Sequence, residues 1–141
     1  MSMEAGGRRL ALIALALVVV VAACGDDGGS ESIEAIVFGE GVIPESVPDD
    51  FPIPANAVVG TTLVDKINNR TEFRLTLQAD ITATIQFFQV GLVNKGYVVD
   101  SSDGTAAEWT LRFSDGTLTG TVFITSPSPE ISAAVVSVNT S

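Results

Sequence analysis

Alternation of apolar and polar side chains, with a period of two residues, dominates the chain after residue 57 and restricts its fold more than any other feature. In the segment TEFRLTLQ, Phe73, Leu75 and Leu77 alternate with polar residues. Successive side chains of a strand point to opposite faces of a sheet, so this pattern predicts a strand with one buried face. Similar patterns predict six strands in all, at residues 57–65, 71–78, 97–100, 107–113, 118–125 and 131–138.

A single segment has the period of a helix instead. Residues 81–95 carry an apolar residue at every third or fourth position, which forms one stripe along a helix. Asp80 precedes the segment as an N-cap, and Gly96 follows it at the position where helices often end in a left-handed residue. We expect Tyr97 to pack back on the stripe, which consists of Ile81, Ile85, Phe88 and Leu92.

Short turn signals separate the predicted strands. Asp103-Gly104 and Asp115-Gly116 favour tight hairpin turns, and residues 66–70 and 126–129 are rich in other turn-forming residues. The elements therefore follow the order ββαββββ, with sequential hairpins after the helix. We expect an α+β domain of two layers, in which an antiparallel sheet of about six strands packs one face against one helix.

The first 23 residues have a different character. Arg8 and Arg9 precede a continuous apolar run over residues 10–23, LALIALALVVVVAA. A helix of this length spans about 21 Å, which is short of the roughly 30 Å hydrocarbon core of a bilayer. A basic start, a short apolar run and small residues at its end are typical of a cleavable secretory signal, which we predict at residues 1–23.

The stretch Val21-Ala22-Ala23-Cys24 resembles the lipobox of bacterial lipoproteins, in which a branched apolar residue and two small residues precede a cysteine. The resemblance implies that Cys24 becomes the first residue after cleavage and carries diacylglycerol, with fatty chains such as palmitate, on its sulfur. Such a lipid anchor would hold the protein at the extracytoplasmic face of the cell membrane, since two or more fatty chains anchor a protein stably. The alternative is an ordinary signal peptide with an incidental cysteine near its cleavage site.

Residues 24–50 are predicted as a lipid-anchored acidic tether, because they carry eight acidic residues and no Lys or Arg. The part at 33–43 is too apolar for a plain linker. It forms an additional strand, folds onto the domain in another way, or docks on a partner. The Pro-rich stretch VPDDFPIP at 47–54 marks the entrance to a globular α+β domain, which we place at residues 51–141.

The globular part carries a second resemblance. The stretch VPDDFPIP, the strand pair after it, the helix ending in Lys95-Gly96-Tyr97 and the strand-rich tail are similar to small exported domains of uncharacterised bacterial lipoproteins, especially actinobacterial ones. The resemblance covers residues 47–138. It supports the fold and brings no catalytic residue with it.

Composition excludes several kinds of function. The formal charge is −10, and removal of residues 1–23 leaves five basic and sixteen acidic residues, a charge of −11. Such a chain repels phosphate backbones, so no nucleic-acid partner is expected. The chain has no histidine and one cysteine, which removes the commonest general base, the commonest zinc ligand and any intramolecular disulfide. The sequence contains no recognised catalytic, cofactor or metal motif, and we expect a protein that is not an enzyme.

The predicted helix carries a second apolar stripe opposite the first, formed by Ala83, Phe87 and Val90. A helix with apolar residues on both sides is either covered on both or presents one side to a partner. In the first case, segment 33–43 or the Pro-rich entrance covers the second stripe. In the second case, Phe87 and Val90 form a site for a protein partner or for self-association.

We therefore expect a membrane-anchored extracytoplasmic lipoprotein that acts as a non-catalytic interaction module or as an accessory subunit of an envelope complex. The alternative is a lipoprotein that binds a small ligand or a lipid between helix and sheet. An enclosed apolar cavity beneath Phe88 and Trp109 would favour the alternative, and a filled core would favour the interaction module.

Overall fold

The computed structural model describes residues 34–141. The predicted signal peptide, the lipobox and Cys24 lie outside this range. The elements are β1 (Ile36–Glu40), β2 (Val58–Asp65), β3 (Arg70–Leu77), α1 (Ile81–Asn94), β4 (Val98–Gly104), β5 (Glu108–Ser114), β6 (Leu118–Ser128) and β7 (Ile131–Thr140). No helix within the described range is both long and apolar enough to cross a membrane.

The seven strands form one sheet in the order β1-β2-β3-β7-β6-β5-β4, and every neighbouring pair is antiparallel. Strands β4 to β7 follow one another as hairpins, as predicted. β7 then pairs with β3, from Arg70 opposite Asn139 to Leu77 opposite Ser132, and so joins the chain before the helix to the chain after it. Within residues 34–141, the α+β class, the antiparallel sheet and the single helix are confirmed. The predicted count of six strands is wrong, since the sheet has seven.

The additional strand, β1, comes from the apolar segment at 33–43, for which the sequence left three interpretations. It pairs with β2, from Ile36 opposite Asp65 to Glu40 opposite Thr61. Pairing gives these backbone groups hydrogen-bond partners that a solvated linker would lack. The compact part of the described chain therefore includes β1.

The ends of α1 are as the sequence predicts. Asp80 caps the first turn, and its Oδ1 accepts a hydrogen bond from the backbone N–H of Ala83 over 2.7 Å. At the other end Gly96 has a φ of 89°. The N–H of Tyr97 donates to the carbonyl of Leu92 over 3.0 Å, which is the longer-range hydrogen bond of a Schellman motif. Neighbouring residues thus determine where the helix begins and ends.

The predicted turn at Asp115-Gly116 is also confirmed. Gly116 has a φ of 90°, and the Asp115 carboxylate accepts hydrogen bonds from the N–H groups of Thr117 and Leu118 over 3.0 and 2.8 Å. Because these bonds favour the charged form, they hold the pKa of Asp115 below its ordinary value. The loop before β3 contains Asn69 with a φ of 50°, as its asparagines predicted.

Two other turn predictions are wrong. Asp103 and Gly104 continue β4 in register with β5, and the chain turns at residues 105–107 instead. Gly104 permits close packing, since a Cβ there would lie 2.6 Å from the Cα of Trp109. β6 likewise continues into the Ser-Pro stretch at 126–129, where a shift in register accommodates the irregular sequence.

One face of the sheet is covered and forms the core. α1 packs over β4 to β7. The connection between β1 and β2 contributes Phe51, whose ring centroid lies 5.6 to 6.1 Å from those of Phe73, Tyr97 and Phe113. The layer above the sheet therefore consists of the helix together with this connection. The buried apolar residues are Val47, Phe51, Phe73, Leu75, Leu77, Phe88, Leu92, Tyr97, Leu111, Phe113, Leu118, Val122, Ile124, Ala134, Val136 and Val138.

A buried pair of hydroxyl groups joins the helix to β7. Thr84 Oγ1 and Ser132 Oγ lie 2.6 Å apart, and both residues are almost fully buried. Thr84→Val leaves the Ser132 hydroxyl without this partner, so we expect the free energy of unfolding to fall by about 1–3 kcal/mol. Adding Ser132→Ala should recover part of the loss, because no lone hydroxyl then remains. Urea unfolding of the four proteins measures the coupling, and strictly additive losses would contradict it.

Candidate interaction surface on the helix

The two sides of α1 differ in burial but not in apolar character. Phe88 and Leu92 on the core side are fully buried, and Ile81 and Ile85 pack against the same core. Thr84 is the one buried polar residue of the helix, and its hydroxyl is hydrogen-bonded to that of Ser132. The predicted core stripe is therefore confirmed.

The opposite side exposes three large apolar residues, Phe87 at 37%, Val90 at 51% and Val93 at 59%.

Phe87 is held in place although its ring is accessible. Its ring meets that of Phe88 edge-on, with centroids 5.3 Å apart and an interplanar angle of 88°. Phe88 is itself fully buried, so Phe87 loses little conformational freedom when a partner binds. Beside it lies a shallow depression of about 460 Å³, lined by Ala83, Gln86, Phe87, Val90, Gly91 and Asn94. We call this side of the helix, from Ala83 to Asn94, the helix face.

Neither of the two segments expected to cover the second stripe does so within residues 34–141. The Pro-rich entrance reaches the helix at Gly91, where a Cβ would lie 2.9 Å from Pro52 Cβ. Gly91 lies at the margin of the helix face, and Phe87 and Val90 remain exposed beside it. The apolar segment forms β1 at the sheet edge opposite β4, while the helix lies over β4 to β7. Of the two alternatives that the sequence left open, exposure of the second stripe is the one found in the described part of the chain.

The helix face is also uncharged. No residue from Ile81 to Asn94 carries a charge, and the nearest charged groups along the chain are Asp80 and Lys95 at its two ends. The face of the sheet that the helix does not cover, which we call the open sheet face, does carry charged residues. There Phe123 and Val135 stand in one cross-strand row that ends in Arg74 on one side and Asp103 on the other. An apolar partner would therefore desolvate fewer charges on the helix face than on the open sheet face.

A second surface was not anticipated from the sequence. A groove of about 470 Å³ runs beside β1 and is lined by apolar residues of β1, β2 and the loop after β1, including Val37, Val42, Ile43 and Val64. The charged residues Glu40, Glu45 and Lys66 lie at the same groove. The apolar character of IVFGE was the one sign of this surface in the sequence. The position of β1 beside β2 depends on pairing with residues more than twenty positions away.

The space between helix and sheet is filled. Phe88, Leu92, Leu111 and Ile124 have no exposed surface, and they belong to one continuous core. Trp109 lies at the margin, where its Nε1–H donates to Ser102 Oγ over 2.9 Å. By the criterion set from the sequence, this packing favours an interaction surface over an internal ligand site.

The described residues offer few side chains that could bind a metal ion. Within residues 34–141, no three Cys, Asp or Glu side chains lie close enough together to hold a metal ion. The predicted lipidation residue, Cys24, lies outside the described residues. Comparisons with protein-family models, with curated proteins and with solved structures found no match to the chain.

Proposed function

We propose that the protein is an exported lipoprotein, anchored by lipid on Cys24 at the extracytoplasmic face of the cell membrane. Its α+β domain then acts as a non-catalytic interaction module or as an accessory subunit of an envelope complex. The anchor is supported by the sequence alone, through Arg8 and Arg9, the apolar run at 10–23 and the lipobox that ends at Cys24. An acidic domain needs a hydrophobic attachment of this kind, because anionic headgroups repel it.

One observation carries the interaction role: Phe87 and Val90 are exposed on a helix face that has no charged residue and no cover within residues 34–141. Exposed apolar side chains on an ordered, charge-free helix are typical of surfaces that bind another protein. We therefore propose Phe87 and Val90 as partner-binding residues, with Val93 beside them. The filled core supports this role further, since it leaves no room for a ligand beneath the helix.

Binding of a small ligand or lipid is the second candidate function. The observation in its favour is the groove of about 470 Å³ beside β1, with apolar walls from Val37, Ile43 and Val64. This site would differ from the internal one expected from the sequence. It is open along one side, and Glu40, Glu45 and Lys66 at its walls present charges of both signs to a bound molecule.

Catalysis is not part of the proposal. The described residues contain neither histidine nor cysteine. Asp100 and Asp103, the nearest acidic pair in the domain, are both exposed on β4. A hydrolytic mechanism would need a general base held in a protected site, for which these residues provide no support.

Mass spectrometry of the protein purified from membranes of its native host tests the anchor directly. We expect the intact mass to lack residues 1–23 and the N-terminal peptide to carry diacylglycerol on Cys24, because the lipobox precedes that residue. Peptides from residues 34–141 serve as the internal control and should have unmodified masses. A free thiol at Cys24, or a leader that is still attached, would refute the proposed anchor.

A further inference from the structure

We infer that the partner of the helix face is a second copy of this chain, with the two α1 helices packed side by side in antiparallel orientation. The inference rests on the proposed function of the helix face as an interaction surface, and it names the partner. A pair of identical surfaces related by a two-fold axis is the commonest arrangement of homo-oligomers. Three features of α1 favour this occupant over a different protein.

The first feature is charge. Residues 34–141 carry thirteen acidic and five basic side chains, so two copies repel each other on average. The edge strand β1 illustrates the difficulty, because Ile36 and Phe38 are exposed there but Glu34 and Glu40 flank them. The helix face has no charge between its ends. Two copies can therefore meet on it without bringing like charges into contact.

The second feature is the pair of charges at the helix ends. Asp80 lies at the N-terminus and Lys95 at the C-terminus, and both are exposed. An antiparallel pair places Lys95 of each copy beside Asp80 of the other, so two opposite-charge contacts form at once. Within the described residues Lys95 makes no ion pair, and the described hydrogen bond of Asp80 uses Oδ1 and leaves Oδ2 free. The helix dipoles also oppose each other favourably in this orientation.

The third feature is the position of the apolar side chains along the helix. Phe87 lies midway between Asp80 and Lys95, so its ring falls next to the two-fold axis. Ala83 and Val90 lie about equally far from Phe87 on either side. In an antiparallel pair the small Ala83 of one copy therefore faces the larger Val90 of the other, which suits the packing of ridges into grooves.

The size of the surface sets the expected strength. The helix is 14 residues long, or about 21 Å at 1.5 Å per residue. One helix face of this length buries less than the roughly 800 Å² per partner of a standard stable interface. We therefore expect weak pairing in free solution and strong pairing when lipid anchors confine both copies to one membrane, because confinement raises their effective concentration.

A zero-length carbodiimide crosslink tests the antiparallel pairing of the two α1 helices. The full-length lipidated protein is treated in its native membrane, and the linked peptides are identified by mass spectrometry. We expect a link between Lys95 and Asp80. Since these residues lie about 22 Å apart in one helix, a zero-length link can only join two copies. Lys66, the other lysine of the chain, serves as the internal control and should not link to Asp80.

Matched variants show whether the helix face carries the pairing. Val90→Asp places a charge in the face of each copy, and we expect the yield of the Lys95–Asp80 link to fall about tenfold or more. Val98→Asp is the control, since Val98 is exposed to a similar degree, 61% against 51%, but lies at the edge strand β4. Circular dichroism checks that both variants are folded.

Three results would overturn the inference: absence of the Lys95–Asp80 link in the lipidated wild-type protein, its persistence in Val90→Asp, or an equal loss in Val98→Asp. Absence of the link together with lipid on Cys24 would exclude the second copy and point to a different protein on the same face. An unmodified Cys24 would instead refute the anchor. The two proposals therefore fail by different measurements.

Discussion

Phe51→Ala is expected to lower the free energy of unfolding by about 3–5 kcal/mol. The side chain is 4% exposed and lies among the rings of Phe73, Tyr97 and Phe113. Removing it leaves a cavity between the sheet and the connection that joins β1 to β2. A domain of this size is stable by only about 5–15 kcal/mol, so the variant should lose a large part of its stability.

Phe38→Ala is the matched control, because it removes the same atoms from a side chain that is 76% exposed. We expect its effect to stay within about 0.5 kcal/mol. Urea unfolding followed by circular dichroism compares the two variants with the parent protein. Losses of similar size in both would show that burial among the aromatic rings is not the source of the stability attributed to Phe51.

Cys24→Ser is expected to move the protein from the membrane fraction to the soluble fraction once the leader is removed. Each fatty chain contributes roughly 0.8 kcal/mol per buried CH₂, and no chain can be attached to serine by a thioether. The mature chain without lipid is strongly acidic, so headgroups would not retain it. Fractionation of cells that express the full chain, followed by immunoblotting, measures the change.

Ser30→Ala provides the control for Cys24→Ser, since it changes a nearby small residue and leaves the lipobox intact. This variant should remain in the membrane fraction. An uncleaved Cys24→Ser precursor is recognised by its higher mass and is scored separately, because its apolar leader would itself hold it in the bilayer. Processed Cys24→Ser protein that still sediments with membranes would place the anchor elsewhere in the chain.

The elements that the sequence predicted well are those whose cause is local. The helix begins just after Asp80 and ends before Gly96, and the hydrogen bonds at both ends join residues at most five positions apart. Both ends could therefore be inferred from residue types alone. The same holds for Asp115-Gly116, where the Asp115 carboxylate accepts hydrogen bonds from the N–H groups of Thr117 and Leu118. Period-two alternation likewise identified β3, β5 and β6, whose alternating apolar residues face the core.

The errors occurred where distant residues decide the local conformation. β1 was left ambiguous because a five-residue apolar segment becomes a strand only when β2 supplies backbone partners. Gly104 resembles a turn residue in sequence, yet it pairs with Trp109 as part of β4, and the β5 backbone lies too close to it for a Cβ.

The candidate site was predictable in part. Helical spacing alone placed Phe87 and Val90 opposite the core stripe, on the side of the helix where polar residues are expected. Whether another segment covers them could not be inferred, because that depends on where the Pro-rich entrance meets the helix. Pro52 packs at Gly91, one residue from Val90, and the stripe stays exposed. Val93 was missed, since it lies outside the narrow arc that the other two define.

The sequence by itself determined the alternation of strands around one helix, the caps of that helix, the acidic charge and the resemblance of residues 21–24 to a lipobox. Each of these depends on residues that are close neighbours along the chain. Only the tertiary structure decided that β7 pairs with β3, that β1 joins the sheet, and that Phe87 and Val90 remain exposed. The reason is that burial and strand pairing are set by contacts between segments far apart in sequence, which no local pattern specifies.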